Sequence, residues 1–240
     1  MSRLRAYFDR SEVPKYGSVA VAGWLLSVEH WERFEENWRE VLRSFGVSRL
    51  HMAEYETGHG EFRGWPPENK KVFMRRLIGV LRQAGPLGVS VGLFRSDFES
   101  VLSEAQRRIV SAYGLCAVHA IGGMMRWVKD KGSSEPTAFV FETGDVGAGQ
   151  ITSAIAKARR DNAEFDQHID SLEFERKENA AWGLEAADFL AYETAKHLPR
   201  LVGLDPTSPR RSLLRLLKRT QHVSMHLRAD LLRKEFPPVP

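Results

Sequence analysis

The sequence has little cysteine, no long apolar run and no strong excess of charge of one sign. Cys116 is its one cysteine, which excludes an intrachain disulfide framework and a Cys-rich zinc site and indicates a reducing compartment. No apolar stretch approaches the roughly 20 residues that cross a bilayer, and the first residues lack the features of a secretion signal. We therefore expect a cytoplasmic protein without a membrane partner.

The composition that remains is typical of a folded globular protein. Of the 240 residues, 42% are hydrophobic and 28% are charged, and 35 basic residues against 31 acidic ones leave a formal charge of +4. This balance excludes a disordered chain, and the length predicts one elaborated domain with a substantial core. We place that domain at residues 1–200 and a basic helical extension at residues 201–240.

Apolar periodicity predicts an α/β fold. Segments rich in Val, Ala, Leu and Phe are predicted to be strands at residues 4–9, 18–26, 87–94, 138–142 and 169–174, the first two forming an antiparallel hairpin. Apolar residues spaced three and four apart predict helices at residues 31–45, 66–81, 97–129 (with a weak point at Gly122-Gly123), 150–160, 181–197 and 211–234.

Three acidic residues stand out by their positions. Asp9 ends the first predicted strand, Glu142 ends a central apolar strand, and Asp188 lies on the inner face of the helix at 181–197. Core-facing positions rarely hold carboxylates unless something compensates the charge. A hard divalent cation is one such compensator, and two such ions can stabilise both oxygens of a phosphoryl displacement. Separate solvated charges are the alternative for each residue taken alone.

Together, several motifs resemble the family known as domain of unknown function 3800, which is similar to the ribonuclease H-like superfamily of metal-dependent nucleases. The similarity covers Tyr7-Phe8-Asp9-Arg10-Ser11-Glu12, Leu50-His51, the strand ending at Glu142, Lys177, and Leu184-Glu185-Ala186-Ala187-Asp188-Phe189-Leu190-Ala191. The resemblance implies a ribonuclease H-like mixed sheet flanked by helices, with Asp9, Glu142 and Asp188 at one metal site. It also implies that His51 and Lys177 support the ligands or contact the substrate.

The motifs depart from the family pattern at two places. The family usually reads Asp-Glu-Ser-Gly where this chain reads Asp9-Arg10-Ser11-Glu12, so the second acid is displaced to Glu12. Glu185 replaces the usual Gln of the late helix and lies three residues from Asp188, on the same helix face. Glu185 is therefore either a fourth metal-binding carboxylate or the partner of a basic residue. Asp145, close behind Glu142, is an alternative ligand.

The last part of the chain is strongly basic. Residues 210–235 contain eight basic and two acidic side chains, together with leucines at helical spacing. This pattern predicts a basic amphipathic helix that binds a phosphate backbone, or a docked helix with a solvated basic face. The candidate nucleic-acid contacts are Arg210, Arg211, Arg215, Lys218 and Arg219. His222 and His226, four apart, would share a face of this helix, but no third metal ligand accompanies them.

The residues and the resemblance predict a Mg²⁺- or Mn²⁺-dependent nuclease that hydrolyses phosphodiester bonds in DNA or RNA. Asp9, Glu142 and Asp188 would hold the ions, and Lys177 would neutralise charge developing on the phosphate. One alternative is a nucleic-acid-binding or partner-binding module on the same fold that has lost catalysis. Another is a metal-dependent hydrolase that acts on a small phosphorylated or nucleotide substrate. The oligomeric state stays open, a homodimer included.

Overall fold

Six strands in the described part of the chain form one mixed sheet. The structure is a computed structural model, and it describes residues 3–133, 135–142, 148–161, 168–176, 182–218 and 220–237. The strands are β1 (Leu4–Val13), β2 (Ser18–Ser27), β3 (Leu87–Phe94), β4 (Thr137–Glu142), β5 (Ile169–Glu175) and β6 (Gln221–His226). Their order is β5-β4-β1-β2-β3-β6. Strands β1, β2 and β3 pair antiparallel, whereas β4 pairs parallel with β1, β5 with β4, and β6 with β3.

Helices cover both faces of this sheet. They are α1 (Val28–Ser44), α2 (Met52–Thr57), α3 (Pro67–Ala84), α4 (Arg95–Val101), α5 (Glu104–Ile109), α6 (Ala112–Asp130), α7 (Ala148–Asp161), α8 (Trp182–Leu201), α9 (Arg211–Leu217) and α10 (Ala229–Glu235). Apolar residues of α1, α2, α3, α8 and α9 pack on one face, which we call the α8 face. Those of α4, α6, α7 and α10 pack on the other, which we call the α6 face. No helix in the described residues is long and apolar enough to cross a membrane.

Local sequence explains how α1 and α8 are fixed on the sheet. Helix α1 starts at Ser27, whose hydroxyl accepts a hydrogen bond from the His30 N–H, and its buried side chains Trp31, Phe34, Trp38 and Leu42 recur at helical spacing. Trp24 of β2 donates from Nε1 to the carbonyl of Ala186 at 3.0 Å. These contacts hold α1 and α8 over the centre of the sheet.

Most predicted strands and helices are confirmed, with differences at their ends. Strand β3 has the predicted bounds, but β1 runs four residues past Asp9 because Pro14 and Gly17, rather than Asp9, make the turn into β2. The long helix predicted at 97–129 is interrupted near Leu102 and Val110, where the backbone is extended, and not at Gly122-Gly123. Those glycines lie within α6, whose buried side chains hold it together on both sides.

The prediction of one continuous C-terminal helix at 211–234 is wrong. The described residues there form α9, strand β6 and α10. Residues 221–226 pair with β3, from Leu87 opposite Gln221 to Gly92 opposite His226. The open edge of β3 offers backbone donors and acceptors that a helix cannot satisfy. His222 and His226 therefore lie on a strand of the sheet and not on a helix, and the tail supplies part of the sheet.

Candidate functional site

Acidic residues follow a phenylalanine in each of the three neighbouring parallel strands. The pairs are Phe8-Asp9 in β1, Phe141-Glu142 in β4 and Phe174-Glu175 in β5. Phe8 pairs with Phe141, and Phe141 pairs with Phe174. Their rings lie on the α6 face, with centroids 5.1 Å apart for Phe8 and Phe141 and 6.2 Å apart for Phe141 and Phe174.

Because side chains alternate between faces, the acid after each phenylalanine belongs to the opposite, α8 face. Asp9, Glu142 and Glu175 thus occupy one row across three strands, and we call them the acidic row. Glu142 is directly opposite Glu175 in the register. Asp9 is 2% exposed although it bears a carboxylate. Asp9 and Glu142, which the sequence predicts from separate segments, thus each follow the last pair of the β1–β4 ladder, Phe8 with Phe141, on the same face of the sheet.

Asp188 lies on the helix that covers this face. Helix α8 packs across β1 and β2, and Gly183 at its start lies so close to β1 that a Cβ there would be 2.3 Å from the Tyr7 ring. The Asp188 side chain is 6% exposed, and its Oδ2 accepts a hydrogen bond from the Met52 N–H at 2.8 Å. This bond attaches the start of α2 to α8.

Glu185 connects the same segment to α8 from the preceding turn. Its Oε2 accepts hydrogen bonds from the Leu50 N–H at 3.0 Å and from Trp38 Nε1 at 2.8 Å. The side chain is 2% exposed. Two neutral donors therefore stabilise this carboxylate at the oxygen Oε2.

Glu175 is the member of the acidic row that sequence reasoning missed. Strand β5 was predicted to end at Phe174, one residue short of it. The repeated phenylalanine-acid pair was the signal that could have found it, because it marks the same position in all three strands. Glu35 of α1 lies near this end of the sheet: burial raises the pKa of its carboxyl, the charge of Arg39 opposes that rise, and the charge of Glu175 adds to it.

The remaining predicted residues either have other partners in the structure or fall outside the described residues. Glu12 forms a two-pronged ion pair with Arg95, at 2.7 and 2.8 Å, near the end of β1. His51 lies beside Met52, and its Nδ1 is 3.5 Å from the Glu54 carboxylate. Lys177 and Asp145 fall outside the described residues.

The predicted basic residues divide into one that is engaged and three that are exposed. Arg210 donates from Nε to the Glu193 carboxylate at 2.9 Å, and its guanidinium also contacts Glu56. Glu193 is completely buried. Arg211, Arg215 and Lys218 are exposed on and just after α9, and Arg219 lies outside the described residues. Arg210 is therefore part of an internal ion network, unlike its three neighbours.

The donor chemistry of the acidic row suits a hard divalent cation. Carboxylate oxygens are the ligands that Mg²⁺ takes, usually one or two from the protein with water and phosphate oxygens completing the shell. In the arrangement of the described residues, no three His, Cys, Asp or Glu side chains form a group that could hold a metal ion. Asp9, Glu142 and Asp188 therefore fit a divalent cation by the chemistry of their oxygen donors, but their side chains do not form a preassembled group of ligands.

The chain was compared with protein-family models and with curated proteins. No protein-family model matches the chain, and no significant match was found among the curated proteins.

Proposed function

We propose that this protein is a divalent-metal-dependent nuclease with a ribonuclease H-like arrangement of its sheet and acidic residues. The observations that carry the proposal are the acidic row on one face of the sheet and Asp188 on the helix that packs on that face. Asp9 belongs to the first strand, Glu142 to the fourth and Asp188 to a late helix. These are the three element positions that the resemblance to the family implies for the metal ligands.

In this proposal Asp9, Glu142 and Asp188 hold Mg²⁺ or Mn²⁺. A bound ion of this kind supplies Lewis-acid activation of a phosphate and a nucleophilic water at neutral pH. Glu175 lies next to Glu142 and adds negative charge that favours a cation at this end of the sheet. Lys177, two residues further along, keeps its proposed role of neutralising the phosphate.

The protein itself fixes the positions of these carboxylates. The Met52 N–H orients Asp188, and the two donors to Glu185 keep the Leu50 segment against α8. Parallel pairing of β1 with β4 joins Phe8 and Phe141, the residues directly before Asp9 and Glu142. A positioned set of charges lowers a barrier more than a mobile set, because it needs no rearrangement during the reaction.

The test is cleavage of labelled single- and double-stranded DNA and RNA with Mg²⁺, Mn²⁺ or EDTA. Asp9→Asn, Glu142→Gln and Asp188→Asn remove charge but keep shape and an acceptor oxygen. We expect each to lower the rate by roughly 100-fold or more, since even groups that only orient metal ligands cost about 10- to 100-fold. Glu12→Gln is the control, an acid of the same strand that is bonded to Arg95. Cleavage that survives Asp9→Asn and Asp188→Asn, or its absence in the wild type, refutes the proposal.

A second candidate is a nucleic-acid-binding module on the same fold without hydrolysis. The ion pair of Glu12 with Arg95 favours it, because the displaced acid of the first-strand motif is engaged elsewhere. Titration calorimetry with Mn²⁺ separates the two. Binding that is lost in Asp9→Asn supports the nuclease, whereas oligonucleotide binding without Mn²⁺ binding supports the module.

A further inference from the structure

A cleft lies between α3 and α9, on the same side of the sheet as α8. Its volume is about 390 Å³, within the range of about 300–1,000 Å³ found for ligand sites. Its polar walls are Glu68, Lys71 and Arg75 from α3, Arg211, Ser212 and Arg215 from α9, and Tyr55 and Glu56 from α2, and Met74 and Ile78 of α3 add apolar surface. We call it the basic cleft. Leu216 of α9 packs in the same apolar cluster as α3, which holds the two walls together.

The arginines of the basic cleft are available for an anion. Arg75, Arg211 and Arg215 are exposed. Within the described ranges, none of the three forms an ion pair with a carboxylate. Surface arginines often pair with neighbouring acids, so three without such a pair in one cleft concentrate positive potential there.

Both acidic residues that line the basic cleft already have basic partners. Glu68 accepts a hydrogen bond from Lys71 Nζ at 2.6 Å, one helical turn away. Glu56 is contacted by Arg210, which lies behind the cleft and is also bonded to the buried Glu193. The acids therefore cancel little of the charge that the arginines present to a ligand.

The spacing of the basic residues suits a chain of phosphates better than a single one. Lys71 and Arg75 are four residues apart in α3, and so are Arg211 and Arg215 in α9. Residues four apart share a helix face and are about 6 Å apart along its axis. Arg75 on one wall and Arg211 and Arg215 on the other offer successive contacts along an extended polyanion, and Lys71 adds a charge that Glu68 partly neutralises.

The basic cleft is close to Asp188 through α2. The first residue of α2, Met52, donates to Asp188, and its later residues Tyr55 and Glu56 line the cleft. Four residues of helix cover only about 6 Å. A strand held in the cleft would therefore lie within a few nucleotides of the proposed hydrolytic site.

We infer that the basic cleft binds the phosphodiester backbone of a nucleic-acid strand and guides it to the acidic row. The choice of nucleic acid among polyanions rests on the proposed function. Because the contacts are to phosphates, they contribute affinity and fix the position of the strand, but they do not distinguish one base sequence from another. Arg75 and Arg215, one from each wall, are the residues on which binding depends most directly.

The test is fluorescence anisotropy with labelled single-stranded DNA, single-stranded RNA and duplex DNA in EDTA, so that binding is measured without cleavage. Arg75→Ala/Arg215→Ala is compared with Arg107→Ala/Arg233→Ala, which removes the same charge from exposed arginines of α5 and α10. We expect the cleft variant to bind at least roughly tenfold more weakly, because two contacts between an arginine and a phosphate are lost. For a single strand, its slope of log affinity against log salt should fall by about 1.4, at about 0.7 per phosphate contact. The control should stay within about twofold of the wild type.

Three results overturn the inference: no oligonucleotide binding by the wild type, equal binding by the cleft variant and the control, or displacement of the oligonucleotide by an equal concentration of inorganic phosphate or a mononucleotide. The result also separates the cleft from the proposed function. If binding depends on the cleft but no metal supports cleavage, the cleft proposal is retained and the proposal of hydrolysis is refuted. If cleavage depends on Asp188 but binding is the same in the cleft variant and the control, the proposal of hydrolysis is retained and the cleft proposal is refuted. Thermal unfolding of both variants confirms that each is folded.

Discussion

Replacing Arg210 by alanine should destabilise the protein far more than replacing its neighbour Arg211. Arg210 donates to both oxygens of Glu193, at 3.1 and 2.9 Å, and Glu193 is completely buried. Without the guanidinium, Glu193 keeps the hydrogen bond from the Ser212 hydroxyl at 2.7 Å but no compensating positive charge from Arg210.

Breaking a buried ion pair by removing one partner costs about 3–5 kcal/mol. Because the Ser212 bond remains, we expect a loss near the lower end, about 3 kcal/mol in the free energy of unfolding. In a protein of this size that lowers the melting temperature by about 6–12 °C. Arg211 is exposed, so Arg211→Ala should change the unfolding free energy by no more than about 0.5 kcal/mol.

The assay is urea unfolding followed by circular dichroism at about pH 8 and about pH 5. Burial raises the pKa of Glu193, and Arg210 and Ser212 oppose that rise. Without Arg210, the pKa of Glu193 in the folded protein should rise further. Protonation of Glu193 then stabilises the folded variant at low pH, and this stabilisation is lost as pH increases through the folded-state pKa. The deficit of Arg210→Ala should therefore be smaller at pH 5, and Glu193→Gln in the same chain should recover part of it. Equal stability of Arg210→Ala and Arg211→Ala at both pH values refutes this reasoning.

Two further predictions concern the sheet. Burial lowers the pKa of His222 from 6.5 to about 4, so the folded protein resists protonation there. The free energy of unfolding should not depend on His222 above the unfolded-state pKa, and should fall by up to about 3 kcal/mol as pH drops from 6.5 towards 4. In urea unfolding, the stability of His222→Gln should therefore change less with pH than that of the wild type. An equal change in both proteins contradicts the prediction. A Cβ at Gly23 would lie 2.3 Å from the Tyr7 carbonyl oxygen and 2.5 Å from the Phe8 ring, so Gly23→Ala should cost about 2 kcal/mol or more. Gly79→Ala is the control, because Gly79 lies on the exposed side of α3 and nothing is within 4 Å of the added carbon. This substitution should stabilise the protein by about 0.5–1 kcal/mol. A similar change in unfolding free energy in both variants would be inconsistent with the packing at Gly23.

Local patterns were sufficient for most of the fold because the strands are short apolar runs and the helices carry regular apolar stripes. The stripe of α1 and the apolar run of β3 are examples. Local patterns failed in the tail, where leucines on both sides suggested one helix through residues 218–226. That stretch contains no leucine, and its conformation is decided by pairing with β3, which is more than 120 positions earlier in the chain. Periodicity carries no information about such a distant partner.

The candidate site shows the same division. Asp9, Glu142 and Asp188 could be proposed as candidates because each interrupts an apolar pattern in the sequence, and their role as metal ligands stays a prediction. Glu175 was missed because a strand end is hard to place to within one residue. Arg210 was grouped with surface arginines because charge alone does not reveal a buried partner on another helix. Assigning such a residue requires the packing of α8 against α9.

In the phenylalanine-acid pairs, the strand register that packs the phenylalanines in the core also sets the positions of the carboxylates. If β4 slipped by one residue against β1, Glu142 would enter the phenylalanine stack and Phe141 would replace it among the carboxylates. A mispaired chain would thus lose its hydrophobic anchor and its charge array in a single error. Selection that keeps the three acidic residues would therefore also keep the register in which these strands pair.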